Sequence, residues 1–138
     1  MKSCVVGIGA MGVEMALHIK NKGQDVIGID VNLEQVESAK KRGLPSTLDL
    51  ISEVPNRDVF IVIVATDAQS ASVVGQILDN NPKPGSAIVI AGTNHPDTMK
   101  SLSDKCVAKQ IRLVDAPVVF GMQGARDGNL ASLCGGTA

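Results

Sequence analysis

Apolar runs recur along this chain at intervals that leave room for one helix between each pair. The runs "SCVVGIG", "QDVIGID", "DVFIVIVA", "SAIVIAG" and "IRLVDAPVV" are rich in Val and Ile. Strands that alternate with helices in this way need crossover connections. A mainly parallel sheet with helices on both faces is therefore expected. "DVFIVIVA" is almost unbroken in its apolarity and predicts a strand buried on both faces. "LPSTLDLISEVP" predicts a short strand and one or two helical turns, and "LASLCGG" a last strand. The predicted order is β-α-β-α-(β-α)-β-α-β-α-β-β. The chain has no Trp, no Tyr and only Phe60 and Phe120, so its core must be built from Val, Ile, Leu and Ala.

The intervening helices carry their own punctuation. "AMGVEMALHIKNKG" closes at Gly23. "VNLEQVESAKKRG" has Asn32 as N-cap with Gln35 three residues on, and ends at Gly43. Lys40, Lys41 and Arg42 fall in its last turn, where cations complement the helix dipole. "DAQSASVVGQILDN" and "HPDTMKSLSDKCVAKQ" read as two more helices. With 138 residues and no linker, repeat or low-complexity stretch, the chain reads as one domain.

Several function classes drop out. A net charge of −1 gives no footprint for nucleic acid, and the lack of aromatics removes stacking platforms. The cysteines, Cys4, Cys106 and Cys134, are odd in number and form no C-x-x-C pair, which argues against a disulfide framework or a metal site. Cys4 and Cys134 lie in apolar runs and read as small core residues. Lys2 precedes an apolar stretch, but glycines and Glu14 interrupt it and no A-x-A-like site follows, so export is not expected. No run is long enough to span a membrane. A reducing, cytoplasmic setting is the expectation.

"GIGAMG", Gly7 to Gly12, is a G-x-G-x-x-G sequence that follows a predicted strand and opens a predicted helix. The next strand ends at Asp30. This is the context of a dinucleotide-binding, Rossmann-type doubly wound α/β fold. Gly7 permits the turn, Gly9 lets backbone approach a pyrophosphate, and Gly12 lets the helix pack closely on the strand. Ala10 and Met11 complete the turn at a helix N-terminus, whose N–H groups favour an anion. Asp30 can accept from the adenosine ribose hydroxyls. A 2′-phosphate there would meet repulsion of up to ~4 kcal/mol. Val31 and Asn32 stand where an NADP site would place an arginine. NAD is the expected cofactor.

"GIGAMG", "IDVN", "GTNHP" and "DAPVVFGMQGARDGNLASLCGG", in this order, resemble the β-hydroxyacid dehydrogenases, to which 6-phosphogluconate dehydrogenase is related. The resemblance covers the whole chain. It implies hydride transfer between NAD and a small 3-hydroxyacid or its semialdehyde. It also implies that Thr93 lies near the nicotinamide and that Ala65, Thr66 and Asp67 run along the cofactor. The last stretch resembles the family's substrate-binding turn. Asp115, Ala116, Pro117, Val118, Gly124, Ala125, Gly128 and Leu130 match it, but Val119, Phe120 and Gly121 stand where Ser-Gly-Gly is usual. These three are the expected substrate contacts, and Val119 and Phe120 are expected to face the nicotinamide end of the cleft. His95, ahead of Pro96, reads as a surface-loop histidine and His18 as an ordinary helix residue.

The family's catalytic lysine sits in a "G..G.G...K...N"-type motif that these residues lack. The resemblance therefore implies that the lysine and an all-helical second domain follow Ala138, and that the longer protein is a homodimer. No catalytic residue is expected within this chain, and the fragment alone is expected to be inactive. Two readings remain: the cofactor domain of a dehydrogenase, or an NAD(H)-binding regulatory or sensing module without such chemistry.

Overall fold

A computed structural model of the chain describes residues 1–136. The first half is β1 (Lys2–Val6), α1 (Gly12–Asn21), β2 (Asp25–Ile29), α2 (Leu33–Lys41), β3 (Ser46–Thr47) and α3 (Leu50–Glu53), followed by a 3-10 turn (Val54–Asn56). The second half is β4 (Val59–Val62), α4 (Asp67–Asp79), β5 (Ala87–Ile90), α5 (Pro96–Ala108), β6 (Arg112–Asp115), β7 (Val118–Val119), α6 (Gly121–Asp127), β8 (Ala131–Ser132) and β9 (Gly135–Gly136). Strands order as β3-β2-β1-β4-β5-β6-β9 in one sheet, and β7 pairs with β8 in a small second one. β1 to β6 are all parallel; β9 joins β6 antiparallel. The order 3-2-1-4-5-6 is that of the doubly wound dinucleotide fold anticipated above.

The sheet's two faces are covered unequally. On one, Phe60, Val62, Ile88, Ile90 and Leu113 pack with Val74, Ile77, Leu102 and Cys106 from α4 and α5. Burial of each large apolar side chain there contributes about 1.5–3 kcal/mol. On the other face, Val5 and Val26 meet Val13 and Ala16 of α1 and Val36 and Ala39 of α2. That layer covers β1 and β2 more fully than β4 and β5. Hence β4 alternates half-buried with buried residues, rather than being buried on both faces as its apolar run suggested, and β5 alternates in the same way.

Three further expectations need correction. "IRLVDAPVV" is two strands, because the chain leaves the sheet at Ala116 and Pro117 and Pro117 has no N–H to donate. "GMQGARDG" is not a turn but the helix α6, with Gly128 in the left-handed conformation at its C-cap. Cys134 is exposed, its Sγ 3.6 Å from Ser132 Oγ, whereas Cys4 and Cys106 are buried. Asn32 does cap α2, accepting from Glu34 N, but Gln35 makes no reciprocal bond there. Among the described residues no helix is long and apolar enough to cross a membrane, and no cluster suited to a metal ion occurs.

Candidate functional site

The sheet's direction of travel changes at β1, whose neighbours are β2 and β4. Open α/β sheets form a ligand crevice at such a point, outside the strands' carboxyl ends. The glycine turn sits there. Gly7 has φ +93°, and its N–H donates to Ile29 O at 2.8 Å, tying the turn to the end of β2. A Cβ on Gly7 would collide with the Ile63 carbonyl oxygen, and one on Gly12 with the Gly7 carbonyl oxygen. Both positions therefore admit no side chain without a backbone shift. Gly9 differs: its Cβ direction is open, with nothing within 4 Å. Met11, the N-cap of α1, supplies no side-chain cap, and although Val13 N already donates to Gly9 O at 3.1 Å, the other first-turn N–H groups face the turn where an anion is favoured.

Asp30 closes the other side of the turn. Its Oδ2 accepts from Ile8 N at 2.9 Å and its Oδ1 from Asn32 N at 2.9 Å. The carboxylate is thus fixed by backbone on both oxygens, with one lone-pair direction on each left for a ligand. From here a cleft of about 420 Å³ runs along the sheet end. Gly7, Gly9, Asp30, Val31 and Ala65 line it, as do Leu48, Leu50, Ile63 and Val64. Helix α4 adds Gln69, Ser72, Val73 and Gln76.

Other predicted residues have different employment. Thr66 and Gln69 form a capping box on α4: Thr66 Oγ1 accepts from Gln69 N at 3.2 Å, and Gln69 Oε1 accepts from Thr66 N at 3.2 Å and Ala65 N at 2.9 Å. Asp67 reaches across to the next crossover, where Oδ2 accepts from His95 N at 2.9 Å. The Thr98 hydroxyl and then this His95 N–H hold the Asp67 carboxyl below the usual carboxylate range. Asp67 thereby clamps the exposed loop that carries Thr93. Ala10, Met11, Gly12, Asn32, Thr66, Asp67 and Thr93 do not line the 420 Å³ cleft.

The profile of the family described as the NAD binding domain of 6-phosphogluconate dehydrogenase matches residues 2–138. The chain belongs to that family. The uncharacterized oxidoreductase YkwC of Bacillus subtilis is 31% identical over 136 residues, covering 95% of this chain and 46% of YkwC. The mitochondrial 3-hydroxyisobutyrate dehydrogenase of Drosophila melanogaster is 26% identical over 132 residues, covering 96% and 41% respectively. In fold, the solved structure of Mycobacterium tuberculosis 3-hydroxyisobutyrate dehydrogenase with L-serine matches with a TM-score of 0.93 at 22% identity, covering 99% of this chain and 46% of that one. The chain spans less than half the length of these relatives.

Within this NAD-binding domain, the stretch "DAPVVFGMQGARDGNLASLCGG" carries β7, α6 and β8 beside α1. Val119 and Phe120 are 47% and 66% exposed, so neither belongs to the core, and neither they nor Gly121 line the cleft. Phe120 has φ +76°, a left-handed conformation that costs a bulky residue about 1–3 kcal/mol. It starts α6, whose Gly124 and Ala125 are buried. A Cβ on Gly124 would meet Phe120 Cβ at 2.7 Å. Helix α6 is fastened to α1 by His18, whose Nε2 lies 3.0 Å from Arg126 O. The His18 ring also leaves no room for a side chain on Gly128, where a Cβ would lie 2.9 Å from Cε1. His18 thus has a structural task that its place in the sequence does not show. His95 is exposed and caps α5, with Nδ1 accepting from Asp97 N at 3.2 Å.

Proposed function

We propose that this chain is the cofactor domain of an NAD-dependent oxidoreductase that moves hydride between a small 3-hydroxyacid, or its semialdehyde, and NAD. The observation that carries the reading is Asp30, held by two backbone N–H groups between the glycine turn and the cleft. The residues present fit a dinucleotide. Gly7, Gly9 and the N–H groups of Ala10, Met11 and Gly12 would hold its pyrophosphate, and Asp30 its adenosine ribose. Val31, Leu48 and Val73 would pack against the base. Thr93, on the loop clamped by Asp67, would stand at the nicotinamide end. When bound, NAD supplies the hydride acceptor; this chain supplies binding and orientation.

No lysine or arginine lines the cleft among the described residues. The reading therefore takes the acid/base lysine from polypeptide outside these 138 residues, together with an all-helical, dimer-forming domain in a cytoplasmic protein. Val119, Phe120 and Gly121 would form one substrate wall facing that domain. Val119 and an exposed Phe120 replace the usual small polar turn, but relatives named as oxidoreductase and dehydrogenase weigh against the alternative of a dinucleotide-sensing module without turnover.

Fluorescence titration of the chain with NADH and NADPH tests the cofactor assignment. Tighter NADH binding is expected; equal affinity or tighter NADPH refutes the choice of NAD, and no binding of either refutes the domain's role. In a longer protein carrying this domain, NADH formation from 3-hydroxyacids separates the dehydrogenase from the sensor.

A further inference from the structure

Helix α4 turns a polar edge into the apolar end of the cleft. Gln69, Ser72, Val73 and Gln76 follow the i, i+3, i+4, i+7 spacing of one helix face and all line the cavity. Val31 and Leu48 line the same space from the β2–β3 side.

Most polar groups in the cleft are already engaged. The Gln69 carboxamide oxygen serves two backbone N–H groups, and each Asp30 oxygen serves one. Ser72 and Gln76 remain. Gln76 Nε2 donates to Ser72 Oγ at 3.3 Å. That bond leaves Gln76 with Oε1 and one N–H to offer. On most helices a Gln–Ser pair four residues apart is a surface bond and nothing more. Here it borders the space that a base enters when its ribose is held at Asp30.

The free pair is complementary to adenine, whose exocyclic amine donates beside a ring nitrogen that accepts. A glutamine amide meets that edge with two hydrogen bonds. Hypoxanthine puts a carbonyl where adenine has its amine, so in the same pose it opposes acceptor to acceptor. Resting on the reading of this cleft as a dinucleotide site, we propose that Gln76, oriented by Ser72, reads the base edge and makes the site selective for adenine over 6-oxopurines.

The test uses the 138-residue chain, NADH and the reduced hypoxanthine analogue of NADH, with nicotinamide fluorescence and calorimetry as readouts. The chain should bind NADH about tenfold more tightly than the analogue. Gln76→Leu should still bind NADH while the ratio falls towards one. Ser72→Ala, which leaves the amide in place but frees its orientation, should lower the ratio part-way. Equal affinities in the unmodified chain, or a ratio that Gln76→Leu leaves unchanged, would overturn the proposal while the dinucleotide site stands. Failure of both dinucleotides to bind overturns the site itself, and this inference with it.

Discussion

Replacing Asp30 by Ala separates two tasks of one carboxylate. The folded chain uses it to accept from Ile8 N and Asn32 N, each at 2.9 Å. The Asn32 bond is exposed, and water can replace it after truncation. The Ile8 bond is partly buried, so that N–H loses its acceptor without full access to water. An unsatisfied donor of this kind costs about 1–3 kcal/mol. For a domain of this size that is a fall in Tm of roughly 3–10 °C. Asp30→Asn should recover only part of the loss, since an amide has one oxygen for two backbone donors and turns its NH₂ towards the other. The second task is the ligand's. Each ribose hydroxyl bond to a carboxylate is worth about 1.5–3 kcal/mol, so Asp30→Ala should weaken NADH at least tenfold. NADPH should not weaken, because repulsion of up to ~4 kcal/mol disappears with the charge. Thermal melts and paired titrations of both reduced cofactors measure these effects. An NADH to NADPH affinity ratio that is the same in Asp30→Ala as in the unmodified chain would falsify the ribose assignment. An unchanged Tm would show that the two backbone bonds do not support the fold.

Two other outcomes are expected. Cys134 should react with a thiol reagent in the native chain, while Cys4 and Cys106 react only after denaturation, since burial pushes their thiols up to about 12 and about 11; two or more fast native thiols would contradict this. Acid should destabilise the fold. The Glu14 carboxyl is held low first by its hydrogen bond from Arg42, Asp58 by Lys83 and Asp67 by Thr98. Folded values below the ordinary 4.5 for Glu and 3.8 for Asp mean that their stabilisation is complete above those values. It is lost as pH falls through the lowered ones. Melts by circular dichroism should show Tm dropping as pH falls below about 4, and less steeply in Asp58→Asn; a Tm that holds or rises would refute the linkage.

The β1 to β6 framework was legible because Val- and Ile-rich runs alternate with helix-length polar segments. That pattern has few compact solutions. Asp30 and the glycine turn were legible for a related reason: steric limits at Gly7 and Gly12 leave a trace in residue type. Helix α6 was not, because Gly121 and Gly124 within it have poor helix propensity, and burial against α1 overrides it. The i,i+4 pair of Gln123 and Asp127, bonded at 2.9 Å, was its local signal. The α4 side of the cleft was hidden differently. Ser72, Val73 and Gln76 are unremarkable residues on an amphipathic helix, and only the tertiary arrangement shows which face borders the cavity. His18 and Arg126 are 108 residues apart, and no local pattern announces their bond.

The strands at the two borders of the main sheet, β3 and β9, are two residues long. A row of free backbone donors and acceptors is a template on which other chains can polymerise, and a long flat border is the hazardous kind. Among the described residues neither border offers more than one or two rungs. At the second, β9 is Gly135–Gly136, and a Cβ on Gly136 would come within 2.9 Å of Leu113 O of the neighbouring β6. Without a side chain there, the backbone of β9 can lie close against β6. The brevity of these pairings, rather than their side chains, is what limits strand addition at the described borders, a matter of solubility separate from any ligand.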